Sequence, residues 1–209
     1  MSRKVVIYKR FERFWHWTQA LLILLLALTG FEIHGTYSLF GFERAVSIHN
    51  HLAWSLVTLV VFAIFWHFTT GEWKQYVPTR DNVGSMVRFY LRGIFRGEPH
   101  PVKKTELSKL NPLQRLTYLG LKLFIIPLQI GSGFAYYYYN ELQAAGYLTG
   151  GLGPVALIHT AGTFALLIFL VVHLYLTTTG HTPLSNMKAM VTGWEELEED
   201  EPAPAERNA

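Results

Sequence analysis

The chain has 209 residues, half of them hydrophobic and 15% aromatic, and only 16% are charged, where an ordinary soluble domain carries about 25%. The absence of cysteine excludes a disulfide scaffold, a thiolate zinc site, an iron-sulfur cluster and any thioether-linked cofactor. The formal charge of +3 hides an asymmetry: the last fifteen residues, from Glu195, carry seven acids and one base, against eight acids and seventeen bases in the rest.

Those basic residues flank long apolar runs instead of forming one polar face, so they read as a membrane-topology signal and not as a nucleic-acid footprint. In chain order, apolar stretches cover residues 14–33, 48–68, 113–138 and 154–176, each near the ~20 residues that a bilayer core requires. None alternates with a period of two, which argues against a membrane barrel. The pattern predicts an all-α membrane protein, a four-transmembrane-helix bundle occupying residues 1–194. Arg3, Lys4, Lys9, Arg10 and Arg13 precede the first run, yet its length and the lack of a small-residue cleavage site predict a retained helix, not a leader.

Orientation follows from Lys and Arg in the connections. The N-terminal tail has five and the segment 71–111 has eight, whereas 35–47 has only Arg44 and 139–153 has none. Both termini and the long middle segment are therefore expected in the cytoplasm of a bacterium, with the two short loops in the periplasm. Trp15, Trp17, Trp66 and Trp73 at one face and Tyr136 to Tyr139 at the other match interfacial aromatic belts. Within the middle segment, Gly84 to Phe95 mixes apolar residues with Arg88, Arg92 and Arg96, predicting an amphipathic helix on the anionic cytoplasmic surface. Residues 195–209 are too acidic and too poor in apolar side chains to fold, and are expected to form a disordered tail.

Seven of nine histidines lie in or at the edges of spans, where ionisable groups are costly and usually functional. His159 and His173 are fourteen residues apart on the fourth span. They share one face at depths separated by about 21 Å, which suits two stacked cofactors. Two haems with histidine on both sides need one more imidazole near each surface. His16 enters the first span at the depth of His173, and His49 and His51 begin the second span at the depth of His159. Topology thus pairs His16 with His173, and either His49 or His51 with His159. His49 and His51 point about 200° apart, so only one faces the cofactor.

Around these histidines the runs RFWHW (from Arg13), SIHNHLAW (from Ser47) and HTAGTFALLIFLVVHLY (from His159) resemble the di-haem cytochrome b subunits of bacterial respiratory complexes. That superfamily includes the membrane subunits of formate dehydrogenase, nickel-iron hydrogenase and thiosulfate reductase, and the thiosulfate reductase type is the most similar. The resemblance extends to about Trp194. It implies His49, with Ala53 four residues on, over His51. It also implies two haem b groups, His16/His173 toward the cytoplasm and His49/His159 toward the periplasm, together with menaquinone or ubiquinone near the cytoplasmic haem. The implied partner is a periplasmic iron-sulfur/molybdopterin protein or a multihaem cytochrome c. The expected function is electron transfer between the quinone pool and that partner in the inner membrane, with no catalytic site for the terminal substrate on this chain. The rivals are a histidine-containing transporter and a non-redox membrane anchor.

Other residues are placed by position. His34 and His67 each lie eighteen residues beyond a candidate ligand, about 27 Å away on the same face, and His67 borders a candidate quinone pocket with Lys122, Gln129 and Asn111. Arg10, Arg13 and Arg44 are candidates for pairing with haem propionates. Lys122, charged within an apolar run, either snorkels or contacts a propionate or quinone. Gly162, Gly30, Gly131 and Gly133 give a flat macrocycle or a neighbouring helix room to approach, and Pro127 is expected to kink the third span. His100 and His181 read as surface residues.

Overall fold

The computed structural model describes residues 2–79, 81–102, 109–180 and 182–198. Four long apolar helices, α1 (Arg10–Ile33), α2 (Phe42–Thr70), α4 (Pro112–Tyr137) and α6 (Leu152–Thr177), form the bundle. Shorter helices fill the connections: α3 (Val83–Arg88), α5 (Tyr139–Ala144) and α7 (Ser185–Thr192). Large apolar side chains such as Leu24, Phe62, Phe65, Phe124, Leu157 and Val171 point outward along all four long helices, a surface that only lipid satisfies over such an extent.

Helix ends are set by local chemistry. The Lys9 backbone N–H donates to Glu12 Oε2 at 2.6 Å at the start of α1. Gly71, in the left-handed conformation, closes α2. Asn111 caps α4 by accepting from the Gln114 backbone N–H at 2.8 Å, and Gln114 Oε1 accepts from the Asn111 N–H in return. Pro127 cannot donate to the ladder of α4; directly before it, Leu121–Ile125 winds as a π turn. The expected disturbance is thus absorbed as one wide turn, a recognised way of bending a helix.

α1 packs against α2, and α4 against α6. Between these two pairs close backbone approach is sparse among the described residues. An apolar cleft there is lined by Gln19, Ile23, Leu56, Val60, Ile130 and Leu166 from all four long helices. The bundle has a terminal end, carrying both chain ends and residues 71–111, and an opposite end. At the opposite end Glu32 Oε1 accepts from the backbone N–H groups of Leu39, Phe40 and Gly41 at 2.7, 2.6 and 2.8 Å, fixing the α1–α2 loop.

The terminal end is closed by a clasp that the sequence pattern did not predict. Strand β1 (Ser2–Val6) pairs antiparallel with β2 (Trp194–Glu198), placing Lys4 opposite Glu196. The acidic tail is therefore ordered as far as residue 198, because the basic first strand supplies a partner of opposite charge. Residues 199–209 lie outside the described residues. Gly193 makes the reversal at φ 88°, and its carbonyl accepts from the Ile7 and Tyr8 N–H groups. The helical segment from α3 continues through a π turn and a 3-10 turn to Arg96. Met86 and Phe89 are buried against the protein, whereas Val87, Leu91, Phe95 and the three arginines face outward.

A buried ion network ties this end together. Lys109 Nζ lies 2.9 Å from Glu12 Oε1 and 3.1 Å from Glu72 Oε2, and Glu72 Oε1 lies 2.5 Å from Lys9 Nζ. Burial pushes the Glu72 carboxyl up, but its bonds to Lys9 and Lys109 outweigh this and hold it below its ordinary value. The bond to Glu72 holds Lys9 above its own ordinary value. The carboxylate contribution is therefore present at neutral pH and lost as pH falls through the depressed value of Glu72; that of Lys9 is lost only as pH rises through its raised value. Lys109→Ala is expected to lower unfolding stability in micelles by about 3 kcal/mol at neutral pH. The deficit should shrink on acidification through the carboxylate range; a variant as stable as the parent at neutral pH contradicts the network's role.

Candidate functional site

One face of α6 carries His159 toward the opposite end and His173 toward the terminal end. The His173 ring faces that of His16 on α1, with centroids 6.1 Å apart, and the His159 ring faces that of His49 on α2 at 6.4 Å. Each pair thus bridges the gap between the two helix pairs. A metal ion held between two imidazole nitrogens at about 2 Å each sets ring centroids about 6 Å apart, so both separations fit an ion between the rings. Two imidazoles are too few to hold an ion alone, and no group of three or more His, Cys, Asp or Glu suited to a metal occurs among the described residues. A tetrapyrrole supplies four in-plane nitrogens and asks the protein for two axial donors.

The pair at the opposite end is oriented by hydroxyls. Thr29 donates to the Leu25 carbonyl at 2.9 Å, leaving its oxygen to accept from His49 Nδ1 at 2.9 Å. Ser132 likewise donates to the Gln129 carbonyl and accepts from His159 Nδ1 at 3.0 Å. With Nδ1 protonated on both rings, Nε2 is the acceptor nitrogen of each, the usual outer-shell arrangement at metal-bound histidine; on His159 it lies 3.3 Å from the Gln129 amide nitrogen. Gly30 and Gly133 lie beneath these rings: a Cβ on either would stand 3.6 Å from His49 Cε1 or 3.4 Å from His159 Cε1. At the terminal end the His173 ring stacks on Phe169 at 5.6 Å, and the buried Nδ1 of His16 has no hydrogen-bond partner among the described residues.

The sequence matches the family described as prokaryotic cytochrome b561 over residues 7–193. The chain belongs to this family. It is also 33% identical, over 201 residues covering 92% of this chain and 75% of the relative, to "Putative cytochrome YdhU" of Escherichia coli (strain K12). No solved structure matches the chain. As a member of the cytochrome b561 family it is a bacterial membrane protein that binds haem b and transfers electrons.

The remaining candidates divide sharply. His51 is exposed and its Nδ1 lies 2.7 Å from the Ser47 carbonyl, so the structure brings His49, and not His51, opposite His159. His34 is exposed at the C-cap of α1. His100 is exposed, as expected, and its ring meets Phe89; His181 lies outside the described residues. His67 is buried, with Nδ1 bonded to the Ala63 carbonyl at 2.6 Å and Nε2 3.3 Å from the Tyr76 hydroxyl. The Lys122 ammonium sits 3.2 Å above the ring centroid of Tyr76, which lies beyond the end of α2, and 5.1 Å from that of Trp15.

Several positions have work other than that expected of them. Arg13 Nη1 donates to the Val191 carbonyl at 2.6 Å, and Trp17 Nε1 to the Met190 carbonyl at 3.2 Å, so both fasten α7 to α1. Arg44 is exposed on the first turn of α2. Asn111 is committed to its cap and to the Tyr90 hydroxyl at 2.9 Å. Gly162 makes room for the Gln129 side chain, whose Nε2 lies 3.3 Å from His159 Nε2, while a side chain at Gly131 would meet open space. Sequence reasoning missed Thr29 and Ser132, since a hydroxyl in a span commonly bonds its own helix and carries no mark of a second partner.

Removing either hydroxyl frees the imidazole it orients. Thr29→Val or Ser132→Ala is expected to weaken haem binding by about tenfold to a hundredfold, measured by haem titration of the apoprotein. Ser55→Ala, which alters only an exposed bond to the His51 carbonyl, should not; equal affinity in all three variants refutes the orienting role.

Proposed function

We propose that the chain is the di-haem b membrane subunit of a respiratory oxidoreductase complex. It would transfer electrons between the quinone pool and a periplasmic redox partner across the inner membrane. The supporting observation is the pair of facing imidazoles at each end of α6, at 6.1 and 6.4 Å. His16 with His173 would hold one haem and His49 with His159 the other, the two levels being about 21 Å apart along α6. Haem with both axial positions filled cycles between ferric and ferrous iron and carries one electron without bond chemistry.

The chain's own residues do the rest. Thr29 and Ser132 fix two of the four rings, and Gly30 and Gly133 keep the space beside those rings clear. The excess of Lys and Arg at the terminal end favours a cytoplasmic position for both termini, which puts the His16/His173 level near the cytoplasm. Beside that level, Lys122, His67 and Tyr76 supply polar groups to an otherwise apolar wall, suited to a menaquinone or ubiquinone headgroup. The partner, by the resemblance, is an iron-sulfur/molybdopterin protein or a multihaem cytochrome c that docks at the opposite end.

The reading requires two haems per chain by combined haem and protein assay. His173→Ala and His159→Ala should each remove one haem and leave the other with its reduced visible band, while His51→Ala keeps both. One haem in the parent protein, or two in both ligand variants, refutes the assignment.

A further inference from the structure

We propose that Glu72, Tyr76, His67 and Lys122 form a proton relay that joins water at the terminal end to the quinone headgroup. The inference rests on the quinone-linked reading above and adds to it the route by which protons accompany the electrons.

The outer end of the route is a cavity of about 40 Å³ among Tyr8, Glu12, Glu72, Gln75, Tyr76 and Lys109, large enough for one or two waters. Lys9, half exposed, reaches Glu72 from the water side. Tyr76 lines the cavity and also places its hydroxyl 3.3 Å from His67 Nε2. His67 Nε2 in turn lies 3.5 Å from Lys122 Nζ. Because His67 Nδ1 donates to the Ala63 carbonyl, Nε2 is the nitrogen open to receive a proton. Tyr76 and Lys122 thus both meet His67 Nε2, joining the cavity to Lys122 beside the ring of Trp15, the residue before His16.

A structural explanation of Lys122 is poor. It makes no ion pair among the described residues; it springs from an apolar span, and its ammonium is held by the faces of Tyr76, just beyond α2, and Trp15 on α1. A charge at that depth is destabilising compared with an apolar side chain of similar length, so packing alone does not account for it. Tyr76, outside the spans, has its hydroxyl pushed far above its ordinary value, first by burial and then by the Glu12 and Glu72 carboxylates and the Tyr118 hydroxyl nearby. It therefore passes protons as a neutral hydroxyl. The other charged groups facing the route are Lys9 before α1, Glu12 on α1 and Lys109 before α4.

The chemistry needs such a route. Conversion of a quinone to a quinol consumes two electrons and two protons, and electrons alone would leave a dianion in a low-dielectric site at large cost. The two electrons come singly from the haem at the His16/His173 level. For each proton, water in the cavity gives one to the Tyr76 hydroxyl as that hydroxyl passes its own to His67 Nε2, and the Glu72 carboxylate takes a proton from bulk water and returns it to the cavity water. The His67–Lys122 pair then delivers a proton to a quinone oxygen. Quinol oxidation runs the same transfers in reverse.

The test uses the purified holoprotein in nanodiscs, reduced with dithionite and mixed with menadione or decylubiquinone. Haem oxidation is followed optically and proton uptake with a pH-indicator dye, in ordinary and heavy water. Tyr76→Phe and Glu72→Gln should keep the parental haem spectrum and slow both signals by about tenfold to a hundredfold, with a larger solvent isotope effect. Glu72→Asp should recover most of the rate. If both variants match the parent in rate and isotope effect, or if rates fall with no change in isotope effect and no rescue by Glu72→Asp, the relay is wrong. If the parent protein passes no electrons to either quinone, the quinone-linked reading falls and the relay with it.

Discussion

Two neutral imidazoles set face to face inside a membrane cannot satisfy one another when both protons are already committed. At the opposite end of the bundle the Nδ1 protons go to Thr29 and Ser132, so each ring keeps an Nε2 lone pair, that of His159 lying 3.3 Å from the Gln129 amide nitrogen. An electron-pair acceptor between the rings resolves this at once, and the iron of haem b, which the family carries, is such an acceptor. The helix arrangement follows from the same constraint. α1 and α2 pack together, as do α4 and α6, but the two pairs must stand apart wherever a flat macrocycle has to fit, and sparse backbone approach with an apolar cleft is what separates them.

α6 is the element on which both levels depend. It is the most apolar of the four spans, so its register in the bilayer is firmly set, and a spacing of fourteen residues returns its two histidines to nearly the same direction. The partners come from two different helices because α1 and α2 run in opposite directions. Each therefore presents one ring at a different depth: α1 near its start, and α2 near its own start at the other face. An antiparallel pair against a single helix is the simplest way to supply two levels from three segments.

Much of this was legible in the sequence because it depends on period and polarity alone. The four apolar runs and the relative depths of His16, His49, His159 and His173 follow from counting along a helix, whereas which of Gly30, Gly131, Gly133 and Gly162 lie against a histidine ring did not. The choice between His49 and His51 did not follow, since both begin the same turn; in the structure the His49 ring meets that of His159, while His51 turns to the Ser47 carbonyl. The clasp of Ser2–Val6 on Trp194–Glu198 was hidden for another reason. Each strand alone is too polar and too short to bury a core, and only the join between the two ends of the chain makes either stable. The network of Lys109 with Glu12 and Glu72 is equally non-local, and nothing in the spacing of 12, 72 and 109 announces it.

The two ends of the bundle differ in what surrounds their histidines, and the difference bears on what each end does. At the opposite end the rings are held by neutral hydroxyls and bordered by glycine, and the nearby loop is fixed by a carboxylate that accepts three backbone N–H groups. Such a level is built for fixed geometry, where electron transfer needs little reorganisation. At the terminal end His16 Nδ1 has no partner among the described residues, and a set of ionisable groups extends from Lys9 through Glu72 and Tyr76 to Lys122. Charged and hydroxylic groups cost free energy at such depths. Their concentration on one side of the bundle is expected if protons are exchanged there and only electrons pass at the other. Under the proposed function, in which a quinone couples protons to electrons and a protein partner takes electrons alone, this polarity favours a quinone beside Lys122 and a partner at the loop that Glu32 holds.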